Sequence, residues 1–61
     1  MNTQAQAAAQ MSAIEILETY CPMGDAIEGV SLVQNWDNES TEITFSDGSK
    51  IEVCGPTVTI L

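Results

Sequence analysis

Two thiols, nine carboxylates, one ammonium group and no imidazole make up most of the reactive chemistry in this chain. A nucleophile or general base works only when it is poised near neutral pH beside a group that activates it. Cys21 and Cys54 have no neighbouring cation to favour a thiolate. Lys50 sits among acidic residues that hold it as an ammonium ion and not as a base. Two cysteines without histidine fall short of the ligand set of a structural zinc site. The run Asp37-Asn38-Glu39-Ser40 gathers oxygen ligands, but calcium wants about six to eight of them and the EF-hand spacing is absent. Asp, Asn and Ser are also what a tight turn requires. The expectation is a protein that is not an enzyme, with no catalytic residue, no cofactor and no metal.

What remains is charge. Nine acids stand against a single Lys and no Arg, a net charge of −8 on 61 residues. Such a chain repels nucleic acid phosphates and anionic lipid, so neither direct nucleic acid binding nor membrane binding is expected. No run approaches the roughly 20 apolar residues of a membrane span. Strong acidity alone would also fit a disordered chain. The hydrophobic content of 44%, arranged in period-2 blocks, argues instead for a folded one. The opening MNTQAQAAAQ has neither the basic start nor the apolar centre of a secretory leader. A cytoplasmic location follows as the expectation, with both thiols reduced and buried, a single disulfide being the other use of the pair.

The elements that must position these groups read as one small domain over residues 1–61. Residues 1–10 fit a frayed tail or an extension of the helix that follows. Thr3 with Gln6 and Ser12 with Glu15 both have capping-box spacing. The second is the stronger start, because Met11 before it can staple onto Ile16. It predicts a helix from about Ser12 to Tyr20 with Ala13, Ile14, Ile16, Leu17, Tyr20 and Cys21 on its apolar face. Cys21 precedes Pro22, which ends the element. Asp25 with Glu28 repeats the capping spacing and predicts a helical turn at 25–28, closed by Gly29.

The segment from Gly29 to Gly55 predicts two consecutive hairpins. Val30, Leu32 and Trp36 share a face of the first strand, and Thr41, Ile43 and Phe45 share a face of the second. Pairing Trp36 with Thr41, Gln34 with Ile43 and Leu32 with Phe45 makes these faces coincide and leaves Asp37-Asn38-Glu39-Ser40 as a four-residue loop. Trp36 then belongs to the core, although an exposed aromatic would be a natural binding anchor. In the second hairpin, a two-residue Asp47-Gly48 turn would split the apolar face. A three-residue loop, Ser46-Asp47-Gly48, keeps Ile43 opposite Ile51 and Thr41 opposite Val53. Gly55-Pro56 turns the chain into a fourth strand, with Val58 and Ile60 inward and Leu61 at the end. The fold class is α+β: one N-terminal helix packed on a four-stranded antiparallel meander sheet.

In this register Glu42 and Glu52 face each other on the outer side. Asp37, Glu39 and Asp47 add charge at the hairpin loops, and Glu15 and Glu18 line the helix. Strand neighbours two apart are separated by about 6.6 Å and helix neighbours three apart by about 5–6 Å, loosely the spacing of successive phosphates. A solubilising skin would explain acidity too, but this one comes almost without balancing cations. The expected function is a non-enzymatic inhibitor that occupies the basic, Arg- and Lys-rich nucleic-acid-binding groove of a target protein. Glu42, Glu52, Asp37, Glu39, Asp47, Glu15 and Glu18 would be the contact residues. Small acidic DNA mimics encoded by phages act in this way on host nucleases and CRISPR effectors, an analogy of size and charge that would put such a protein in the host cytoplasm. The alternative is a structural or assembly module that forms a homodimer, or docks on another chain, through Val58, Ile60 and Leu61 of its C-terminal edge strand.

Overall fold

The computed structural model describes residues 3–61. Met1 and Asn2, the start of the stretch read as tail or helix extension, lie outside the described residues. The fold is α+β, with helices packed on one face of a four-stranded antiparallel sheet of strand order β1-β2-β3-β4.

The helical layer uses both starts read from the sequence, and it comes in two pieces. Helix α1 spans Gln4–Ala8 and opens on a complete Thr3/Gln6 capping box. Helix α2 spans Ala13–Tyr20, with the Ser12 side chain accepting the Glu15 N–H at 3.2 Å. Alanine alone cannot hold a five-residue helix in water. Here α1 is held by packing, since Ala5 and Ala8 have no exposure at all. Their missing bulk lets the helix backbone come close to the sheet.

On α2 the core face is narrower than expected. Ala13 and Ile16 are buried and Leu17 and Tyr20 half-buried, a 3.6-residue stripe, whereas Ile14 is 70% exposed. Ile14 follows Ala13 by about 100° of helix rotation, which carries it off that stripe. Helix α2 ends at Cys21, as Pro22 demands, and a 3-10 turn over Pro22–Gly24 follows. The helical turn expected at 25–28 does not form. Instead the Val30 N–H bonds to the Ile27 carbonyl at 3.2 Å, with Gly29 at φ +86°. That turn needs a left-handed residue at its third position, so glycine geometry overrides the capping spacing.

Strand β1 spans Ser31–Asn35, β2 Ser40–Thr44, β3 Lys50–Cys54 and β4 Thr57–Ile60. The β2–β3 register is as expected, with Ile43 opposite Ile51, Thr41 opposite Val53 and Glu42 opposite Glu52. Its three-residue loop is closed by the Phe45 N–H bonding to the Ser49 carbonyl at 2.8 Å, with Gly48 at φ +88°. The β1–β2 register is shifted by two residues from the expected one: Leu32 lies opposite Ile43 and Gln34 opposite Thr41. An even shift leaves every side chain on its face. On the core-facing side it places apolar Leu32 against Ile43 and polar Gln34 against Thr41, and it moves Trp36 out of the ladder into the loop 36–39.

The core is formed by Ala5, Ala8, Ala13, Ile16, Cys21, Ile43, Phe45, Ile51 and Val53. Tyr20 and Phe45 meet edge to face with centroids 5.1 Å apart. Both cysteines are free, but only Cys21 is buried. Cys54 follows Val53 on a strand whose odd positions point inward, so it faces out. In β4, Val58 is half-buried opposite Val53, while Ile60 sits opposite Ile51 yet stays 48% exposed at the sheet edge.

Candidate functional site

Strand alternation puts Val33, Asn35, Ser40, Glu42, Thr44, Lys50, Glu52, Cys54, Thr57 and Thr59 on the outer sheet face. Val33 is 54% exposed, and Lys50, Cys54, Thr57 and Thr59 are exposed, so no described element lies over this face. The direct pair Glu42–Glu52 occupies its centre on the two middle strands.

The two carboxylates are supported unequally. Asn35 on β1 donates its side-chain N–H to Glu42 at 2.8 Å. The Ser40 hydroxyl lies 3.4 Å from Glu52 but 2.6 Å from the Asn38 side-chain oxygen. A hydroxyl has one proton to give, so the shorter contact takes it and Glu52 keeps most of its accepting capacity. Among the described residues no ion pair forms. Lys50, diagonal to Glu42, therefore does not neutralise it by contact.

At one end of this face stands the loop Trp36-Asp37-Asn38-Glu39. The loop is fixed to the sheet by Asn38, whose side-chain oxygen accepts the Ser40 N–H and hydroxyl and whose carbonyl accepts the Cys54 thiol at 3.6 Å. Glu39 adopts φ +55°, a left-handed conformation that costs a side-chain-bearing residue about 1 kcal/mol. Trp36 is 80% exposed, contrary to the core position that the expected register gave it. It walls a groove of about 320 Å³ with Gln34, Asn35, Glu39, Ser40 and Thr41.

The remaining acids lie elsewhere. Asp47 is at the opposite end of the sheet and is engaged within the chain. One carboxylate oxygen accepts the Gln4 N–H at 2.9 Å, and the other accepts the Ser49 N–H at 2.9 Å and the Ser49 hydroxyl. The Gln4 N–H, followed by the Ser49 contacts, holds its carboxyl below the ordinary carboxylate value. Gln4 reciprocates, accepting from the Asp47 N–H and the Ser46 hydroxyl at 3.0 Å each. Glu15 accepts the Ser12 hydroxyl at 3.2 Å and lies with Glu18 on the helical layer, across the molecule from Glu42 and Glu52. The structure thus brings Glu42 and Glu52 together, places Asp37 and Glu39 in the loop beyond the β1–β2 end of the sheet, and separates Asp47, Glu15 and Glu18 from that pair.

The residue that sequence reasoning placed wrongly here is Trp36. The signal that could have found it is the pairing of Leu32 with Ile43, which matches the apolar pattern better than Gln34 with Ile43. Burial of Cys21 pushes its thiol up, away from nucleophilic use. Among the described residues no three acidic or thiol groups converge in a way that would hold a metal ion, the loop 36–39 included. No described helix is long and apolar enough to cross a membrane.

A second surface lies along the other edge of the sheet. Met11, Ala13, Ile14, Pro56 and Val58 line an open apolar groove of about 480 Å³. Ile60 and Leu61, 48% and 56% exposed, continue β4 beyond it, with no charged residue from Thr57 to Leu61. No protein-family model matches the chain, and neither a curated protein nor a solved structure is significantly similar to it.

Proposed function

We propose that this chain is a non-enzymatic protein-binding inhibitor whose outer sheet face seats on a basic, nucleic-acid-binding surface of a target protein. The observation that carries this reading is the open sheet face with Glu42 and Glu52 abreast at its centre, the loop acids Asp37 and Glu39 beyond its end, and no cation paired with them among the described residues. Against a surface rich in Arg and Lys, the Glu42 carboxylate, already fixed by Asn35, loses little side-chain freedom on binding, and the sheet that carries Glu42 and Glu52 has no backbone to order. The summed field of a −8 molecule would speed encounter and make association strongly salt-dependent. Asp47, Glu15 and Glu18 contribute to that field from a distance and are not contact residues in this reading.

The test compares two charge-removal sets for binding to proteins with basic nucleic-acid channels. One set joins E42Q, E52Q, D37N and E39Q, and the other joins E15Q and E18Q. The first set should abolish capture and the second should only slow it, and wild-type capture should fall steeply between roughly 50 and 200 mM salt. Equal effects of the two sets would sink the sheet-face reading.

A second reading rests on β4, an edge strand with none of the usual protection by charge, proline or a bulge within Thr57–Ile60. A module that dimerises or docks by strand addition would use Val58, Ile60 and Leu61 together with Ile14. Association through this edge would be indifferent to salt and would be lost on replacing Ile60 with lysine.

A further inference from the structure

Among the described residues, the groove beside Trp36 is lined by acceptors and by no cation. Glu39 brings a full negative charge to its rim. Asn35 borders the groove but turns its side chain to the outer face, where the amide donates to Glu42 and to Ser40 at 2.8 and 3.5 Å. Gln34, exposed at the end of the helix-facing side, brings an amide, and Thr41 a hydroxyl. The remaining wall is the indole of Trp36. At about 320 Å³ the groove lies at the small end of the roughly 300–1,000 Å³ typical of ligand pockets.

We propose that this groove is a receptor slot for one arginine side chain of the partner. The inference rests on the reading that the face binds a basic protein, and it specifies which cation is taken. A guanidinium is planar and weakly hydrated, so it stacks on an indole while its edge donates several N–H groups. The Glu39 carboxylate and the Gln34 side-chain oxygen answer that edge. An ammonium group offers no plane to stack and is more costly to strip of water. The arrangement therefore discriminates arginine from lysine, which long-range charge alone cannot do.

Trp36 is the one tryptophan in the chain, so its emission reports directly on the slot. Two peptides of equal length and charge, one arginine-rich and one lysine-rich, are titrated into the intact protein at low salt, with emission and calorimetry read in parallel. The arginine peptide should bind about fivefold tighter and shift or quench Trp36. W36A, an exposed loop substitution, should erase the preference in calorimetry, whereas E42Q/E52Q should weaken both peptides and keep it. Equal affinities, or calorimetric binding that leaves Trp36 emission unchanged, would overturn the slot and leave the acidic-face reading standing. Failure of both peptides to bind would overturn the two together.

Discussion

Glu42 and Glu52 are directly paired across β2 and β3, and among the described residues no cation contacts either of them. Like charges placed opposite one another in a sheet are destabilising by a few tenths of a kcal/mol. That cost falls on a domain whose whole stability is roughly 3–9 kcal/mol at 0.05–0.15 kcal/mol per residue. E52Q should therefore raise the urea midpoint slightly at low salt, and E52K should raise it further. Both should weaken partner binding. Higher salt should shrink the stability gain, because screening relieves the same repulsion in the wild type. A midpoint that falls in E52K would mean that the pair is not strained.

The Asp47 contacts predict how the protein yields to acid. Folding lowers the Asp47 pKa, so the folded state binds that proton more weakly than the unfolded state. The resulting stabilisation is fully present above the ordinary value of 3.8 and is lost as pH falls through the depressed folded value. D47N cannot titrate. Its stability deficit against the wild type should be constant at neutral pH and should close as pH drops below about 4. Denaturation midpoints of the two proteins taken over that range check this. Parallel curves would show that the tie from the β2–β3 loop to α1 carries no charge-dependent stabilisation.

The two thiols should separate cleanly. Cys54 is exposed, whereas Cys21 is buried and its thiol is pushed up by desolvation. A thiol-reactive chromophore should modify Cys54 quickly in the native protein and Cys21 only at the rate of opening. C54S should remove the fast phase, and denaturant should merge the two phases in the wild type. The same experiment reads α2, since Cys21 caps that helix through its N–H to the Leu17 carbonyl at 2.9 Å.

Core substitutions set the scale for everything else. Ile16, Ile43 and Ile51 are fully buried, one from the helical layer and two from the central strands. Ile43→Ala should cost about 3–4 kcal/mol, a large part of what a domain of this size has. Gly48→Ala should cost about 1 kcal/mol, since φ is +88° there and an added Cβ meets no atom but must adopt a left-handed backbone. Gly48→Asn should recover part of it. Equal destabilisation by Ala and Asn would point to a loop conformation other than the three-residue one.

Much of the architecture was legible because burial and strand period constrain each other. Ile43, Ile51 and Val53 fall on one face only if the β2–β3 loop has three residues, and that fixed the register of the whole hairpin. In the β1–β2 hairpin, face parity does not separate the candidate registers, and only the match of Leu32 to Ile43 does. Leu32 and Gln34 give β1 one apolar and one polar inner residue, so two registers two residues apart keep the same faces. The choice between them decides whether Trp36 is ladder or loop. Asp47 shows another limit. Its commitment to Gln4 spans 43 positions in the chain and follows from how α1 folds back on the sheet, which no local pattern specifies. Cys54 was misjudged for a simpler reason, since cysteine tends to be buried but strand alternation outweighs that tendency here.

Trp36 also offers a probe of the local field that needs no partner. Its indole is 80% exposed, and the groove that it walls has Glu39 on its rim, with Asp37 beside it in the chain. A cationic quencher such as caesium is concentrated near such a site, and an anionic one such as iodide is kept away. At low ionic strength caesium should therefore quench Trp36 more efficiently than iodide, relative to their efficiencies on free tryptophan amide. Added inert salt should reduce the difference over a Debye length of about 10 Å at 0.1 M. E39Q should reduce it further than E18Q, because Glu18 lies on the far side of the sheet. If E39Q and E18Q act alike, the field at Trp36 comes from the net charge of the whole molecule and not from the loop.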